Sequence, residues 1–171
     1  ATRIDDVAKR AGVSKGLTYL YYKTKEDLFK AVVKYVVVRR VDALLDDVET
    51  TELSSEAFIR GPLLTYMKRV PGSPIAIVIR LLIAEGRRHP DLVDYYYDNV
   101  VARGLDAIRR FVERGVARGE FKPDAVELQP QLFLAPMMLS MIWRLIFTEK
   151  PLDTDRLMED QIDLLLARVK A

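Results

Sequence analysis

The stretch Ile4–Phe29, IDDVAKRAGVSKGLTYLYYKTKEDLF, restricts what this chain can fold into more than any other. Ile4, Val7, Ala8 and Ala11 fall at i, i+3, i+4 and i+7, one apolar stripe of a short helix. Gly12 follows where a left-handed residue ends a helix at no steric cost. Ser14 is a good N-cap for a second helix from Lys15 to about Tyr22. That second helix is too short and too polar to be stable alone, so its neighbours must hold it. Two helices joined by a short Gly-containing turn, the second carrying Lys, Ser, Thr and Tyr, predict a helix-turn-helix that offers its second helix to a DNA groove.

The run GVSKG, then Tyr19, Tyr21 and Tyr22, then Thr24-Lys25-Glu26-Asp27-Leu28, resembles the signature of TetR-family one-component transcriptional regulators. The resemblance covers about the first thirty residues. Thr18 stands where the family usually has an inward Leu or Ile, and Tyr22 replaces the usual Phe. The family carries one more helix ahead of this motif, whereas the sequence opens at Ala1-Thr2; the expectation is a chain whose first helix is not represented. The resemblance implies an all-α fold: a helix-turn-helix head (residues 1–33) joined through a long helix to a ligand-binding and dimerisation body (residues 34–171). It also implies that Thr2 or Arg3, Ser14, Lys15, Tyr19, Tyr21 and Lys25 approach the DNA backbone, with Lys15 or Gly16 close to bases.

Residue chemistry points the same way. Lys15 and Lys25 are cations at helix N-termini, a placement poor for the helix and good for meeting phosphate. Gly16 lets backbone approach a groove wall, and the tyrosines carry hydroxyls on stiff arms. Leu17 and Leu20 are unusual on such a face; contact with thymine methyls is one reading, and packing of Leu17 beneath a preceding helix is the other. Thr18 faces inward, its hydroxyl within reach of the Ser14 carbonyl. Net charge is only +2, but residues 1–34 carry net +4 and the remainder −2. A basic head on a slightly acidic body is the asymmetry expected when one end meets phosphate.

Thr24, with Asp27 three residues on, predicts a capped third helix whose apolar stripe continues to about Glu49, roughly 37 Å at 1.5 Å per residue. After a polar break at Thr50–Ser55, Gly61-Pro62 should kink or divide the next helix. Ser73-Pro74 starts a helix that is apolar nearly all round and is therefore expected to be central. A long amphipathic helix follows from about Asp91 to Arg118, stopped by Gly119 with Phe121 folding back. Asp124 is expected to cap a helix interrupted at Pro130 and Pro136, and Asp153 or Thr154 to cap the last.

A regulator of this type couples a small molecule to DNA release. Candidate pocket residues are Tyr66, Met67, Arg80, Tyr95, Tyr96, Phe133, Met137, Met141 and Trp143, a set suited to an apolar or aromatic effector; the rival reading of such a stripe is plain core. Arg80 is either an ion-pair partner or an anchor for a ligand carboxylate. The resemblance implies a homodimer built from the last two helices, with Met138, Leu139, Ile142, Leu145, Ile162, Leu165, Leu166 and Val169 as interface candidates, its two heads reading half-sites about 34–36 Å apart on double-stranded DNA. The expected function is a repressor released from a palindromic operator by an effector whose identity the sequence does not give.

With no Cys and one His, thiolate sites, disulfides and metal clusters are not expected, and no cofactor motif is present. No Ser/His/Asp set, HExxH or glycine-rich phosphate loop supports an enzyme. The remaining rival is a helical interaction protein of the same fold without operator binding. No apolar run is long enough to span a bilayer and no leader pattern opens the chain, so a cytoplasmic location without membrane association is expected.

Overall fold

Local caps set the geometry of the amino-terminal end. The computed structural model describes residues 3–171, and among these the chain is helical apart from turns and an isolated bridge between Phe121 and Lys170. Helix α1 (Ile4–Ala11) opens with the Arg3 N–H donating to Asp6 Oδ2 at 2.9 Å. Gly12, at φ 69°, closes it in the left-handed conformation, and the Val13 N–H turns back to the Ala8 carbonyl. In α2 (Lys15–Tyr21) the Ser14 hydroxyl accepts from the Leu17 N–H at 3.1 Å. Thr18 is buried, and its hydroxyl donates to the Ser14 carbonyl at 3.2 Å, as its inward position predicts.

A reciprocal cap, Thr24 with Asp27, then starts α3, which runs unbroken through residues 25–50 as Lys25–Val33, a π turn Lys34–Val38 and Arg39–Thr50. The π turn is the departure from expectation. One extra residue per turn shifts the helical phase, so Val33, Val37 and Val41 carry the buried stripe while Val32 is left exposed. No Gly or Pro marks it in the sequence.

Helix α4 (residues 55–69) meets the Gly61-Pro62 problem without dividing. Pro62 sits inside a second π turn, Ile59–Leu63, whose wider spacing relieves the clash with the preceding turn. A 3₁₀ turn, Val70–Gly72, leads to α5 (Pro74–Glu85), capped by Ser73. This helix is not central. It packs by one face, Ile75, Val78 and Ile79, against the start of the Val70 turn and the π turn of α3, and leaves Ile77, Leu81 and Ile83 at 69, 44 and 58% exposure. Nothing among the described residues covers that outer face.

Helix α6 (residues 90–117) contains a third π turn, Tyr97–Val101, which touches the π turn of α3. Gly119, at φ 71°, ends the region, and Phe121 folds back into the core against Phe111. Asp124 does not cap a helix; it lies inside a short 3₁₀ turn, Pro123–Glu127, and pairs with Arg168 at 2.8 Å. Helix α7 (Gln131–Ile146) starts after Pro130 and passes straight through Pro136. Pro136 has no N–H for the Leu132 carbonyl, and Gln161 Nε2 supplies the donor from α8 at 3.2 Å. Helix α8 (Thr154–Val169), capped by Asp153, lies along α7 and α4.

The amino end of α4 is tied to the loop after α6. The Ser55 N–H donates to Glu120 Oε2 at 2.6 Å. Contact with Ser55 holds the Glu120 carboxyl below its usual 4.5, with Arg118 and Arg114 adding to the effect. A carboxyl depressed in the folded state stabilises the fold above its unfolded pKa and loses that contribution as pH falls through the folded value. Glu120→Gln is therefore expected to lower the urea midpoint near neutral pH, with the gap to the parent closing as the pH falls through the carboxylate range below 4.5. A gap that is constant across that range would exclude the charged cap.

Candidate nucleic-acid interface and effector cavity

On the head, every described residue of the candidate DNA face is exposed: Arg3, Ser14, Lys15, Gly16, Leu17, Tyr19, Leu20, Tyr21 and Lys25. Thr2 lies outside the described residues. Leu17 and Leu20 are 45 and 74% exposed, so neither is packed under another described element. Lys15 Nζ is bonded to Asp5 Oδ2 at 2.7 Å and lies 5.7 Å from the Tyr19 ring centre. That partner holds the Asp5 carboxyl below its ordinary value. The head thus presents a lysine and a tyrosine side by side, with an internal anion occupying the cation.

The start of α6 braces the head from below. His89 Nδ1 stands 3.3 Å from Glu26 Oε1, Lys30 Nζ 3.9 Å from Asp91 and 5.6 Å from the Tyr95 ring centre. Tyr95, a pocket candidate from sequence, is engaged in this brace and faces no cavity. The lone histidine stands where the chain turns into α6.

The body encloses a cavity of about 490 Å³. Helix α3 supplies Val37, Val41, Leu44, Leu45 and Val48 to its wall, and α4 adds Phe58, Leu63 and Tyr66. From α6 come Tyr96, Val100, Val101, Gly104, Leu105, Ile108 and Phe111, and from α7 Gln131, Phe133, Leu134, Met137, Met138 and Met141. Ile75 and Ile79 close the side formed by α5. Each of the three π turns places a residue in this wall: Val37, Leu63, and Val100 with Val101. A helix widened by one residue opens its own surface, and π turns gather at functional sites for that reason.

Of the sequence-derived pocket set, Tyr66, Tyr96, Phe133, Met137 and Met141 come together here. Met67, one position past Tyr66, points a quarter-turn away and is wholly buried in solid core. Arg80 stands on the exposed side of α5 and reaches no ligand space. Trp143 lies beyond Met141 toward the end of α7; its indole N–H donates to the Lys150 carbonyl at 2.7 Å and its ring packs on Phe147, closing the α7–α8 connection. The sequence reading missed the aliphatic walls of α3 and α6. Val and Leu at helical spacing carry no mark that separates cavity from core.

The interface candidates divide in the same manner. Met138, Leu139 and Ile142 on α7 are 37, 46 and 38% exposed, and Leu145 is half-buried. Ile162, Leu165, Leu166 and Val169 on α8 are buried within the chain itself, where they pack against the α4 and α7 side of the core. They have no surface left for a second copy. The face that remains is Leu132, Leu139, Ile142 and Ile146 on α7, with Leu164 of α8 at 69% exposure.

A capped helix-turn-helix joined by one continuous helix to an all-helical body around an apolar cavity defines the class of ligand-responsive, DNA-binding transcriptional regulators, not enzymes. Residues 62–165 match the family described as "Tetracyclin repressor-like, C-terminal domain", and residues 1–32 match "Bacterial regulatory proteins, tetR family". The chain belongs to the TetR family. Its fold is similar to that of a TetR-family transcriptional regulator from Mesorhizobium loti, at TM-score 0.79 and 19% identity over 99% of this chain and 87% of that one. It is also similar to the flavonoid-responsive regulator FrrA, at TM-score 0.60 and 21% identity over the same shares. Among the described residues no cluster of His, Asp or Glu is arranged for a metal ion, and no helix is long and apolar enough to cross a membrane.

Gly104 lines the cavity from a regular stretch of α6, and a Cβ built on it meets no atom within 4 Å. Gly104→Ala should therefore gain helix propensity without a clash and raise unfolding stability by about 0.5–1 kcal/mol. Urea denaturation at one protein concentration measures this; a loss of stability would mean that the cavity is closed at this wall.

Proposed function

We propose that this chain is a repressor that leaves a palindromic operator when a small, largely apolar effector enters the cavity. The observation that carries the reading is the sharing of α3. It begins at Lys25, three residues after the recognition helix closes at Tyr22, and its later turns, from Val37 to Val48, form one wall of the cavity. In this reading residues 1–33 form the DNA-binding domain and residues 34–171 the effector-binding and dimerisation domain. Arg3, Ser14, Tyr19, Tyr21 and Lys25 contact phosphates, Lys15 and Gly16 also approach bases, and Leu17 and Leu20 meet apolar base edges.

The effector acts by population shift. It binds best to the conformer whose heads are wrongly spaced for successive half-sites, and operator affinity falls by the same coupling factor. Lys15 must exchange Asp5 for phosphate on binding, so part of the DNA interface is pre-set and part is competed for. With a duplex from upstream of its own coding region, Lys15→Ala is expected to weaken binding and to reduce the slope of log affinity against log salt by about one for each phosphate that is no longer neutralised. Unchanged salt dependence, measured by fluorescence anisotropy, would remove Lys15 from the interface. Total absence of a salt-dependent shift in the parent chain would favour the interaction-protein reading.

Two heads require two chains. The exposed stripe Leu132, Leu139, Ile142 and Ile146 follows helical spacing on α7, the pattern of a helix–helix seam, and Leu164 on the neighbouring α8 is exposed as well. A second copy packed there makes a four-helix bundle about a two-fold axis. Ile142→Glu is expected to convert the dimer to monomer in analytical ultracentrifugation and to weaken operator binding with it. An intact dimer would move the interface to another face.

A further inference from the structure

The wall of the cavity holds no charged side chain. Arg80, the one cation the sequence offered as a carboxylate anchor, stands outside on α5. The polar side chains that do reach the wall are Tyr66, Tyr96 and, at the amino end of α7, Gln131. Tyr66 comes from α4 and Tyr96 from α6, so the two phenols enter from different helices. Burial pushes both hydroxyls up from their ordinary value, Tyr96 further for its proximity to Tyr66; the charge of Arg40, an exposed residue outside the wall, opposes the shift at Tyr66, and no hydrogen bond contributes to either. Both therefore remain protonated throughout the physiological range, as neutral donors in an apolar enclosure.

A phenol left without an acceptor in such surroundings is a standing cost, removed when an acceptor arrives. An ion would face the opposite balance. A carboxylate or ammonium entering this cavity gives up its water and finds no charged group in the wall to pair with. From the apolar wall and the two phenols we infer that the effector is an electrically neutral, mainly hydrocarbon or aromatic molecule bearing a carbonyl-type or ether acceptor, held by the hydroxyls of Tyr66 and Tyr96, and that the cavity rejects carboxylates and amines of the same shape. Met137, Met138 and Met141 give one wall the adaptability to close around its hydrocarbon part. This deepens the effector reading above and rests on it.

A matched set of probes tests the inference on the whole chain by calorimetry: benzyl phenyl ketone, its hydrocarbon counterpart bibenzyl, and bibenzyl-4-carboxylate at a pH where it is ionised. The neutral dye Nile red serves as an independent reporter of cavity occupancy. The ketone is expected to bind about tenfold tighter than the hydrocarbon, and the carboxylate more weakly than either. Tyr66→Phe with Tyr96→Phe is expected to bring the ketone down to the level of the hydrocarbon while bibenzyl binding stays as it was. Equal binding of ketone and hydrocarbon to the parent chain, retention of the ketone preference in the double variant, or carboxylate binding as tight as the ketone's would each overturn the inference and leave the cavity standing as an effector site. Failure of bibenzyl, ketone and Nile red alike would overturn the effector reading itself, and the inference with it.

Discussion

One helix belongs to both ends of this molecule, and the rest of the structure depends on that. Residues 25–50 are continuously helical, so their backbone hydrogen bonds make a rod with a foot in the head and a flank in the cavity. A flexible linker would let the head reorient without reference to the body; a helix does not. The Thr24–Asp27 cap fixes where the rod begins, directly after the turn that closes the recognition helix. The rod has one irregular segment, Lys34–Val38, placed between head and cavity and touching the corresponding π turn of α6. A π turn is the part of a helix most easily converted back to regular winding, and such a conversion rotates everything on one side of it. On the proposed mechanism, this segment translates a change of cavity shape into a change of head angle.

The parts of the fold that were legible in the sequence are those held by local chemistry. Gly12, Ser14, Thr24 with Asp27, Ser73 and Gly119 each act through atoms a few residues away, so their roles follow from neighbours in the chain. Thr18 belongs with them, its bond to Ser14 being one helical turn long. What the sequence did not carry was tertiary. Pro136 reads as a helix breaker until Gln161, distant in sequence, is seen to serve the carbonyl that Pro136 leaves open. The apolar circumference of α5 reads as central, yet the helix lies at the edge with its outer face uncovered. The residues of α8 read as an interface and are the chain's own core. Apolar side chains report that they will be buried, not by what.

The cavity itself is a departure from the close packing that the same residues achieve elsewhere. Phe58 and Phe111 pack on each other at 5.3 Å between ring centres, yet together with Phe133 they leave the volume beside them unfilled. Empty apolar volume forfeits dispersion attraction that the lining atoms would otherwise gain. A molecule that restores that attraction recovers the free energy, so the unfilled state is already biased toward binding. The same lining dictates selectivity, because filling it requires shape and hydrocarbon surface more than it requires charge.

Coupling between this volume and DNA needs more than proximity, since a ligand shifts an equilibrium only by its differential affinity for the two states. The arrangement of α3 and α6 supplies a source for that difference. Both helices line the cavity, through Val37 and Val41 on one and Tyr96 and Val100 on the other, and both also meet beside the head, where His89 faces Glu26 and Lys30 faces Asp91 and Tyr95. The head is small: α1 and α2 are each about two turns, too short to persist without the surfaces they rest on. Its orientation is therefore borrowed from α3 and α6. On the proposed mechanism, an occupant that spreads these two helices at the cavity either strains their packing at the head or rotates the head to keep it, and the second response costs less because the Lys30–Asp91 pair of the brace is solvent-exposed and of small individual strength. The weakness of that brace is what leaves the head free to follow.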